Sequence, residues 1–581
     1  MDICNAPVSD EAYADFIFRT GGLSREELIQ SYSDRNICIS YVDDEFAIAY
    51  QLLSETLPIS VENHSYLSIP SLYGLLDTTS MERSGILSTF QQPALNSRGE
   101  GVIIGLIDTG IDYQNPMFRE ENGQTRILGI WDQTIPGKGF QIDGAHQTPF
   151  YFFYGQEYTE DDINAALSQE NPLSVVPSMD TNGHGTFLAS IAAGRRTPSM
   201  DFTGASPNCM LGIVKLKQAK NYLREYYMVP DSVDAFQSND VMLAITYLRL
   251  LALRYRRPLV LCMGLGSNQG GHNGSSPLSQ VLNNLRHLLG ISAVCAAGNE
   301  VGFRHHYVGS VPAASVFDEV EFRVGEGESG FIMELWASLP EIYTVGFVSP
   351  TGEVIERIPF RAGEDTSVHF TLEQSSITVS YIASIGNQDD FLALMRFTSP
   401  TAGIWRLRVY PTVSVTGLYH IWLPIHGFVT DDTVFLNADP FTTITSPGNA
   451  AFPITVSAYN HLNNSLYIHS SRGYTRDGRI KPDIAAPGVD IFGPGVSPIP
   501  GEYPMTRMSG TSVSAAHVAG AVANLYSWSI IQGNYPRLTN SSVKAYLARG
   551  ASRNSNFTYP NREWGYGTLN LYQSYVSLRD H

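Results

Sequence analysis

A serine before a run of small residues is the first feature of this sequence that could do chemistry. The stretch MSGTSVSAAHVAG, residues 508–520, places Ser512 at the start of a segment typical of a closely packed helix. Backbone N–H groups at a helix start point outward and stabilise a nearby anion. The same stretch also fits a Gly-Thr turn that caps a buried helix, so this motif alone leaves both interpretations open.

Three other polar side chains could act together with Ser512. Asp108 ends an apolar run in GLIDTGID, His184 lies between glycines in NGHGT, and Asn299 follows an apolar run in AAGNE. A serine hydroxyl needs a base such as histidine, which a carboxylate orients, and an amide can stabilise the resulting oxyanion. Each residue alone also fits a turn or a cap. Only the four together indicate nucleophilic catalysis.

The segments around these residues predict an α/β fold with a central parallel sheet. Five apolar runs are typical of parallel strands buried on both faces: GVIIGLIDTG, CMLGIVKL, PLVLCMGLG, ISAVCAAGN and FPITVSAYN. Helical segments punctuate the same region: GTFLASIAAG, DVMLAITYLRLLALRYR and SQVLNNLRHLLG. Sites in such sheets lie at the carboxyl ends of the strands, where Asp108 and Asn299 fall.

Two further units accompany this α/β pattern. Residues 303–440 contain short strand-like segments separated by polar, Gly or Pro turns, which predicts an inserted all-β sandwich or jelly roll. Residues 1–79 form a small unit with a predicted strand, DEFAIAY, and a helix capped by Ser24 with Glu27 three residues later. A chain of 581 residues is too long for a single core, so several units are expected.

Composition argues against several kinds of partner. The net charge of -19 disfavours binding to a phosphate backbone, so no nucleic-acid partner is expected. No apolar run of about 18 residues occurs, and no basic start precedes an apolar run at the N-terminus. We therefore expect no membrane span, no signal peptide and synthesis inside the cell. The five cysteines form no CxxC pair, which disfavours a disulfide framework or a zinc site and predicts buried thiols at Cys209, Cys262 and Cys295.

The four motifs resemble those of the subtilisin-like serine proteases, the subtilases. LIDTGID, NGHGT, AAGNE and GTSVSAAHVAG each resemble a family motif and follow the family's order of Asp, His, Asn and Ser. The resemblance implies that Asp108, His184 and Ser512 are the catalytic triad and that Asn299 donates to the oxyanion. Two positions depart from the pattern: Phe187 stands where a second histidine is common, and Ala516 where a proline is common.

The resemblance also implies how a peptide or protein substrate binds. In the family an extended peptide pairs with an exposed backbone edge, and the stretch Gly264, Leu265 and Gly266 resembles that edge. Ala297 and Gly298 would line the pocket for the residue before the scissile bond. These assignments compete with a simpler one, a glycine turn that follows a strand.

The same resemblance divides the chain into three units. Residues 1–79 would be a prodomain that acts as folding chaperone and inhibitor, residues 80–302 and 441–581 the catalytic domain, and residues 303–440 the inserted jelly-roll-like domain. Self-cleavage is expected near Thr79 and Ser80, with Leu76 as the apolar anchor of the fourth substrate pocket. An uncleaved linker is the alternative.

The combination of no export signal, a prodomain and an inserted sandwich resembles the Csp-type germination proteases of clostridia. That resemblance implies a spore-associated protease that activates the zymogen of a cortex-degrading hydrolase, with its own prodomain as bound inhibitor and other germination proteins as further partners. One alternative is a silent protease fold that acts as a binding or signalling protein and is held shut by its prodomain. Another alternative is a general intracellular subtilase.

We expect no cofactor and no metal in the chemistry. Many subtilases bind calcium in loops, which keeps calcium open, but the sequence contains no clear ligand run. The acidic residues Glu160, Asp161 and Asp162 are predicted to form the solvated start of a helix.

Overall fold

The chain folds into three units built around one large sheet. The computed structural model describes residues 7–33, 37–75, 84–90, 92, 95, 97–137, 139–143, 149–198, 202–311, 315–385, 388–499 and 501–579. We call the three units the N-terminal unit (residues 7–75), the α/β unit and the insert, which contains the strands between residues 306 and 435. Among the described residues, none of the helices combines the length and apolar character needed to cross a membrane.

The N-terminal unit is a three-stranded antiparallel sheet, in the order β1–β3–β2, with short helices. Its elements are β1 (Tyr13–Arg19), α1 (Arg25–Ser33), β2 (Cys38–Tyr41), β3 (Phe46–Leu52), α2 (Leu53–Thr56) and β4 (Leu72–Leu75). Ser24 caps α1 as predicted, since its Oγ accepts from Glu27 N at 3.3 Å while Glu27 Oε2 accepts from Ser24 N at 2.8 Å. Strand β4 is not part of this sheet. It pairs with β11 and β13 of the α/β unit, which are described below.

The first part of the α/β unit contains most of the strands of the large sheet. Its elements are α3 (Ile86–Phe90), β5 (Ile103–Asp108), β6 (Ile127–Asp132), β7 (Phe140–Asp143), β8 (Pro149–Phe152), β9 (Gln156–Thr159), α4 (Glu160–Leu167), α5 (His184–Ala193), β10 (Met210–Lys215), α6 (Asn221–Tyr227), β11 (Phe236–Gln237), α7 (Ser238–Tyr255), β12 (Leu259–Met263), β13 (Leu265–Gly266), α8 (Pro277–Asn284) and β14 (Ile291–Ala296). The three predicted helical segments correspond to α5, α7 and α8, although α8 gives way to a 3-10 turn at Leu285.

The insert is entirely β-structure in its described residues. Its strands are β15 (His306–Ser310), β16 (Asp318–Val324), β17 (Gly330–Ser338), β18 (Ile342–Val348), β19 (Val354–Ile355), β20 (Asp365–His369), β21 (Ser376–Ile385), β22 (Gln388–Thr398), β23 (Gly403–Val413), β24 (Leu418–Trp422) and β25 (Val434–Phe435). They form a six-stranded and a five-stranded antiparallel sheet that share one buried aromatic and aliphatic core.

The chain then returns to the α/β unit and completes it. The remaining elements are β26 (Ile454–Asn460), β27 (Ser465–Leu466), β28 (Ile484–Pro487), β29 (Ile491–Pro494), β30 (Met505–Met508), α9 (Thr511–Tyr526), α10 (Asn540–Gly550) and α11 (Leu571–Arg579). Strands β26, β14, β12, β5, β10 and β6 pair in parallel in that order, with antiparallel β27 and β9 at the two edges. This mixed, mainly parallel sheet confirms the predicted fold class.

Alternate residues of the central strands bury two separate cores. Ile104 and Leu106 of β5 face α5 and α9, whereas Ile103 and Ile107 face α7. Helices therefore cover both faces of the sheet, which explains why its strands are continuously apolar in sequence. The carboxyl ends of β5 and β14 lie at the same edge of the sheet. The N-termini of α5 and α9 lie next to them, as the contacts of His184 with Asp108 and of Thr511 with Asn299 show.

A further buried cluster joins all three units. Its members come from the N-terminal unit (Ala14, Phe16, Ile59, Val61, Ile69, Leu72), from the α/β unit (Ala219, Tyr222, Leu223, Tyr226, Tyr227, Val229, Ala235) and from the insert (Ile332, Trp336, Ile385, Leu392, Leu394, Trp422, Ile425, Phe428). Removing any one unit would expose apolar surface on the other two. The hydrophobic effect therefore favours their remaining together.

Three of the cysteines behave as the sequence predicts. Cys209, Cys262 and Cys295 are buried free thiols, and burial raises the pKa of Cys209 to about 12. Cys38 differs, because it is disulfide-bonded. A single bridge leaves no spacing pattern in the sequence, so the cysteine count did not reveal it.

Two buried histidines of the insert, His306 and His420, are hydrogen-bonded to each other. His306 Nε2 lies 3.0 Å from His420 Nδ1, and His306 Nδ1 lies 3.2 Å from the carbonyl oxygen of Asp439. Two neutral rings satisfy this arrangement, with His420 donating to His306 and His306 donating to the carbonyl. Burial lowers the pKa of His306 to about 4 and that of His420 to about 2, and nearby Arg476 adds to the effect on His420.

We expect the free energy of unfolding to fall as the pH drops below about 6.5, because the unfolded chain then binds protons that the folded histidines do not. Each histidine contributes a slope of up to about 1.4 kcal/mol per pH unit until its folded pKa is reached. Denaturant titrations between neutral pH and the pKa of His306 measure this slope. The His420→Phe variant should give a shallower slope, and equal slopes in the two proteins would contradict the prediction.

Candidate active site

The structure brings three of the predicted residues into one hydrogen-bonded chain. Asp108 ends β5, His184 begins α5, and Ser512 is the second residue of α9. His184 Nδ1 lies 2.7 Å from Asp108 Oδ1, and His184 Nε2 lies 3.2 Å from Ser512 Oγ. The three residues are 1%, 3% and 0% exposed, respectively. A hydroxyl, an imidazole and a carboxylate in this order can form an activated nucleophile.

Local contacts hold the carboxylate in place. Asp108 Oδ1 accepts from Thr109 N at 2.8 Å as well as from His184, which fixes the plane of the carboxylate. Its Oδ2 is buried and has no partner within the described part of the chain. Gly185 lies against this corner, since a Cβ there would collide with the carbonyl oxygen of Gly110. The glycine after His184 therefore allows the backbone of Gly110 to approach closely.

The start of α5 is anchored by Asp180, which the sequence analysis did not single out. Asp180 Oδ1 accepts from Gly183 N at 2.8 Å, and its Oδ2 accepts from Thr186 N at 2.8 Å and from Thr186 Oγ1 at 2.7 Å. These bonds satisfy N–H groups of the first turn and orient His184 between them. An acidic residue four positions before the histidine is the signal that could have identified it.

Asn299 lies beside the nucleophile with its amide group oriented by Thr511. The Oδ1 atom accepts from Thr511 N at 3.0 Å and from Thr511 Oγ1 at 3.1 Å. The Nδ2 group has no hydrogen bond to any described residue and is a free donor. The N–H of Ser512 is a second donor, because the first N–H groups of a helix have no intrahelical acceptor. Two such donors can stabilise an oxyanion.

Two short strands border the cleft next to Ser512. One is β13, in the predicted stretch Gly264–Gly266, and the other is β11, which the sequence analysis missed. Gly264 packs directly on the site, since a Cβ there would lie 2.8 Å from Ser512 Cβ. Both strands are only two residues long, which explains why no periodic pattern predicted β11.

A strand of the N-terminal unit fills the space between these two edges. Strand β4 pairs antiparallel with β13 on one side, Leu75 opposite Leu265 and Gly74 opposite Gly266, and antiparallel with β11 on the other. Leu72 N also donates to Gln269 Oε1 at 2.8 Å. The chain thus adds its own strand to the edge on which the sequence predicts a peptide, which is the β-augmentation mode of binding.

The predicted pocket residues Ala297 and Gly298 follow β14 and are buried. The carbonyl oxygen of Ala297 accepts from Thr445 N at 3.0 Å, and Gly298 N donates to Thr511 Oγ1 at 3.1 Å. A Cβ at Gly298 would lie 2.6 Å from Thr445 Cγ2. Thr445, which sequence reasoning did not select, therefore forms the wall facing Gly298.

The predicted cleavage site and the acidic residues 160–162 lie away from the triad in sequence. Thr79, Ser80 and Leu76 lie outside the described residues. The acidic run is the first turn of α4, where Asp162 and Thr159 form a capping box, and this confirms the predicted helix start. No group of three or more His, Cys, Asp or Glu side chains that could hold a metal occurs among the residues that the structure describes.

The two departures from the family pattern lie behind the catalytic residues. Phe187 is fully buried in α5. Its ring packs against Gly493 of β29, and a Cβ at Gly493 would lie 2.8 Å from the ring of Phe187. Ala516 is fully buried within α9. Both positions belong to the packing of the two helices rather than to the hydrogen-bonded chain.

Comparison with known proteins identifies the class of this fold and site. A family model described as the subtilase family matches residues 99–325 and 349–567. The chain belongs to the subtilase family.

Individual relatives show the same relationship. The solved structure of the Clostridium perfringens CspB protease superposes with a TM-score of 0.75 at 30% identity, covering 86% of this chain and 96% of that one. The chain is 22% identical over 488 residues to subtilisin-like protease SBT3.8 of Arabidopsis thaliana, covering 78% of this chain and 60% of that protein. It is 40% identical over 110 residues to the C5a peptidase of Streptococcus pyogenes serotype M18, covering 19% of this chain and 8% of the peptidase. The chain therefore spans less than two thirds of the length of these two curated relatives.

Proposed function

We propose that this chain is an active serine endopeptidase whose nucleophile is Ser512. His184 is the general base, Asp108 orients and stabilises it, and Asn299 and the Ser512 N–H stabilise the oxyanion. The observation that carries the proposal is the continuous hydrogen-bonded chain from Asp108 Oδ1 through His184 to Ser512 Oγ. No metal is needed for these steps, because Asp108 stabilises the positive charge on His184 and the two N–H donors stabilise the oxyanion.

In the first half of the reaction, Ser512 Oγ attacks the carbonyl carbon of the scissile peptide bond while His184 Nε2 takes its proton. The imidazolium that forms is stabilised by Asp108 through the 2.7 Å bond to Nδ1. The carbonyl oxygen becomes an oxyanion next to Asn299 Nδ2 and the Ser512 N–H. His184 then gives its proton to the leaving amine nitrogen, and the C–N bond breaks.

In the second half, water replaces the leaving amine. His184 Nε2 takes a proton from this water, whose oxygen attacks the ester carbon on Ser512. Collapse of the second oxyanion breaks the bond to Oγ, which recovers its proton from His184. The product carboxylate leaves, and the enzyme returns to its starting state.

The N-terminal unit acts as a prodomain that remains bound as an inhibitor. The support is β4, which lies between β11 and β13 where an extended substrate would lie, and the almost complete burial of Ser512. A buried ion pair ties the two units together, with Asp15 Oδ1 2.6 Å from Lys220 Nζ. Together with the cluster shared by all three units, this contact favours retention of the prodomain after cleavage.

The enzyme cuts its own linker after β4. Pairing of Gly74 and Leu75 with the β13 edge favours a scissile bond soon after Leu75. The bond lies between Leu75 and Ser80, and the predicted bond between Thr79 and Ser80 is the last one in this interval. Peptide pairing positions the carbonyl carbon for attack only within a few residues of the paired segment.

The biological role that we propose is activation of a spore-cortex hydrolase zymogen during germination. Its support is the 30% identity to the CspB protease of Clostridium perfringens over almost the whole of that structure. The same three-unit arrangement was the basis of the sequence resemblance to the Csp-type proteases. The proposed location is therefore the spore, and the partners are a protein substrate and other germination proteins.

Mass spectrometry of the purified full-length chain, made as wild type and as Ser512→Ala, tests the proposal. We expect two polypeptides from the wild type, separated at a bond between Leu75 and Ser80, and one intact chain from the variant. A small fluorophosphonate should label Ser512 of the wild type slowly, through transient opening of the bound prodomain, and should not label the variant. An intact, unlabelled wild-type chain would contradict the proposal, and cleavage in both proteins would assign the cut to another protease.

A further inference from the structure

The loop that follows β13 is held from outside the α/β unit. We call residues 268–273 the edge loop, because it continues directly from the strand that borders the cleft. Asn268 Nδ2 donates to the carbonyl oxygen of Leu423 at 3.2 Å, and Gly270 N donates to Glu334 Oε2 at 2.8 Å. Both acceptors belong to the insert. The insert therefore bonds to the edge loop at the backbone and at a side chain.

Two tryptophans of the insert pack on the same loop. The ring of His272 stacks on Trp422, with ring centroids 4.1 Å apart and planes at 4°. Gly271 faces Trp336 so closely that a Cβ would lie 3.1 Å from the indole. Flat stacking at this distance leaves the loop no room to shift toward the insert.

A carboxylate of the insert completes this contact through an arginine. Asp390 Oδ1 lies 2.5 Å from Arg476 Nη2, and both side chains are 5% exposed. Arg476 Nε donates to the carbonyl oxygen of Gly271 at 2.6 Å. The backbone N–H of Arg476 donates to the carbonyl oxygen of His272 at 3.0 Å. Asp390 Oδ2 accepts from Asn273 Nδ2 at 2.8 Å. Asp390 is thus connected to three consecutive residues of the edge loop.

Strand β13 is only two residues long and is followed by a single bridge between Ser267 and Ser446 before the edge loop begins. A strand this short has little pairing of its own to fix its position. Charge-assisted hydrogen bonds from a buried guanidinium are stronger than neutral ones and restrict direction as well as distance. We therefore expect the position of the substrate edge to depend on the loop that the insert holds as well as on that bridge.

We propose that Asp390 is a positioning residue of the protease, which acts through Arg476 to hold the edge loop and β13 in register with a bound peptide. The inserted domain thereby becomes part of the substrate-binding edge. This inference rests on the proposed function, in which β13 pairs with the segment to be cut. Asp390 touches neither the substrate nor the triad.

The test compares Asp390→Asn with Asp389→Asn, the exposed neighbouring carboxylate, in the full-length chain. Self-cleavage is followed by pulse-chase after cell-free synthesis, and fluorophosphonate labelling monitors Ser512. Hydrogen exchange of residues 265–273 is measured on the same variants in a Ser512→Ala background, so that all of the chains are uncut.

In Asp390→Asn we expect self-cleavage to slow at least about 10-fold, as a displaced substrate edge predicts, with labelling of Ser512 unchanged. Exchange of residues 265–273 should accelerate by about 10-fold, while Asp389→Asn matches the wild type. Unchanged cleavage and exchange would overturn the proposal. Parallel losses of cleavage and labelling would also overturn it, because they would assign Asp390 a purely structural role.

Failure of the proposed function has a separate signature. If the wild type is neither cut nor labelled, the peptidase assignment fails. The exchange measurement still decides whether Asp390 holds the edge loop, since it needs no activity.

Discussion

Replacing Asp108 by asparagine is expected to slow self-cleavage about 10⁴-fold while the chain stays folded. The neutral amide can keep an oxygen in the Oδ1 position, where it still accepts from Thr109 N and His184 Nδ1. It cannot stabilise the imidazolium that forms as His184 takes the proton of Ser512. Its amino group would occupy the Oδ2 position, which is buried and has no partner within the described residues.

The rate of disappearance of the uncut chain measures this effect, and fluorophosphonate labelling should slow in parallel. Asp112→Asn is the matched control, a carboxylate four residues further along the chain. Burial raises the pKa of Asp112 to about 6, and its side chain accepts from Gln114 N rather than from the histidine. We expect this control to cut itself within about 3-fold of the wild-type rate, since it removes no contact to the triad. A slow control and a fast Asp108→Asn would reverse the assignment.

Replacing Arg126 by methionine is expected to cause the largest loss of stability. Arg126 is 2% exposed, and its guanidinium joins three segments: Nη1 donates to the carbonyl of Cys209 at 2.6 Å, and Nη2 to those of Met117 at 2.6 Å and Ala193 at 2.7 Å. Ala193 is the last residue of α5, so the cation also lies at the negative end of that helix dipole. Methionine fills a similar volume and leaves all three carbonyl groups without this donor.

Each buried carbonyl that loses this donor costs about 1–3 kcal/mol, so we expect the three together to cost about 3–9 kcal/mol. Scanning calorimetry should show the transition of the α/β unit at least about 6 °C lower. Arg254→Met is the control, because its ion pair with Glu157 is partly exposed and contributes about 1 kcal/mol at most. Equal shifts in the two variants would mean that the three carbonyls find other donors.

The site residues could be predicted from the sequence because each carries a local signal. Asp108 and Asn299 end apolar runs, His184 lies between glycines, and Ser512 begins a helix of small residues. Strand ends and helix starts are local features, since they depend on a few neighbouring residues and on backbone hydrogen bonding. The parallel sheet then brings these ends to one edge, which made convergence of the four residues predictable.

The supporting residues were not predictable in the same way. Thr445 reaches Gly298 only because β26 follows the insert and pairs with β14. Strand β11 has two residues and no pattern, and becomes a strand only because β4 pairs with it. Such features depend on contacts between residues far apart in the chain.

By itself, the sequence determined the α/β fold class, the inserted β-unit and the identity of the four residues that converge at the sheet edge. Periodicity and helix caps encode these features locally. The tertiary structure alone decided that β4 fills the cleft, that Cys38 is bridged, and that Asp390 and Arg476 support the substrate edge. These outcomes depend on how three separately predictable units pack together, and packing is set by the shape and charge of whole surfaces rather than by any local pattern.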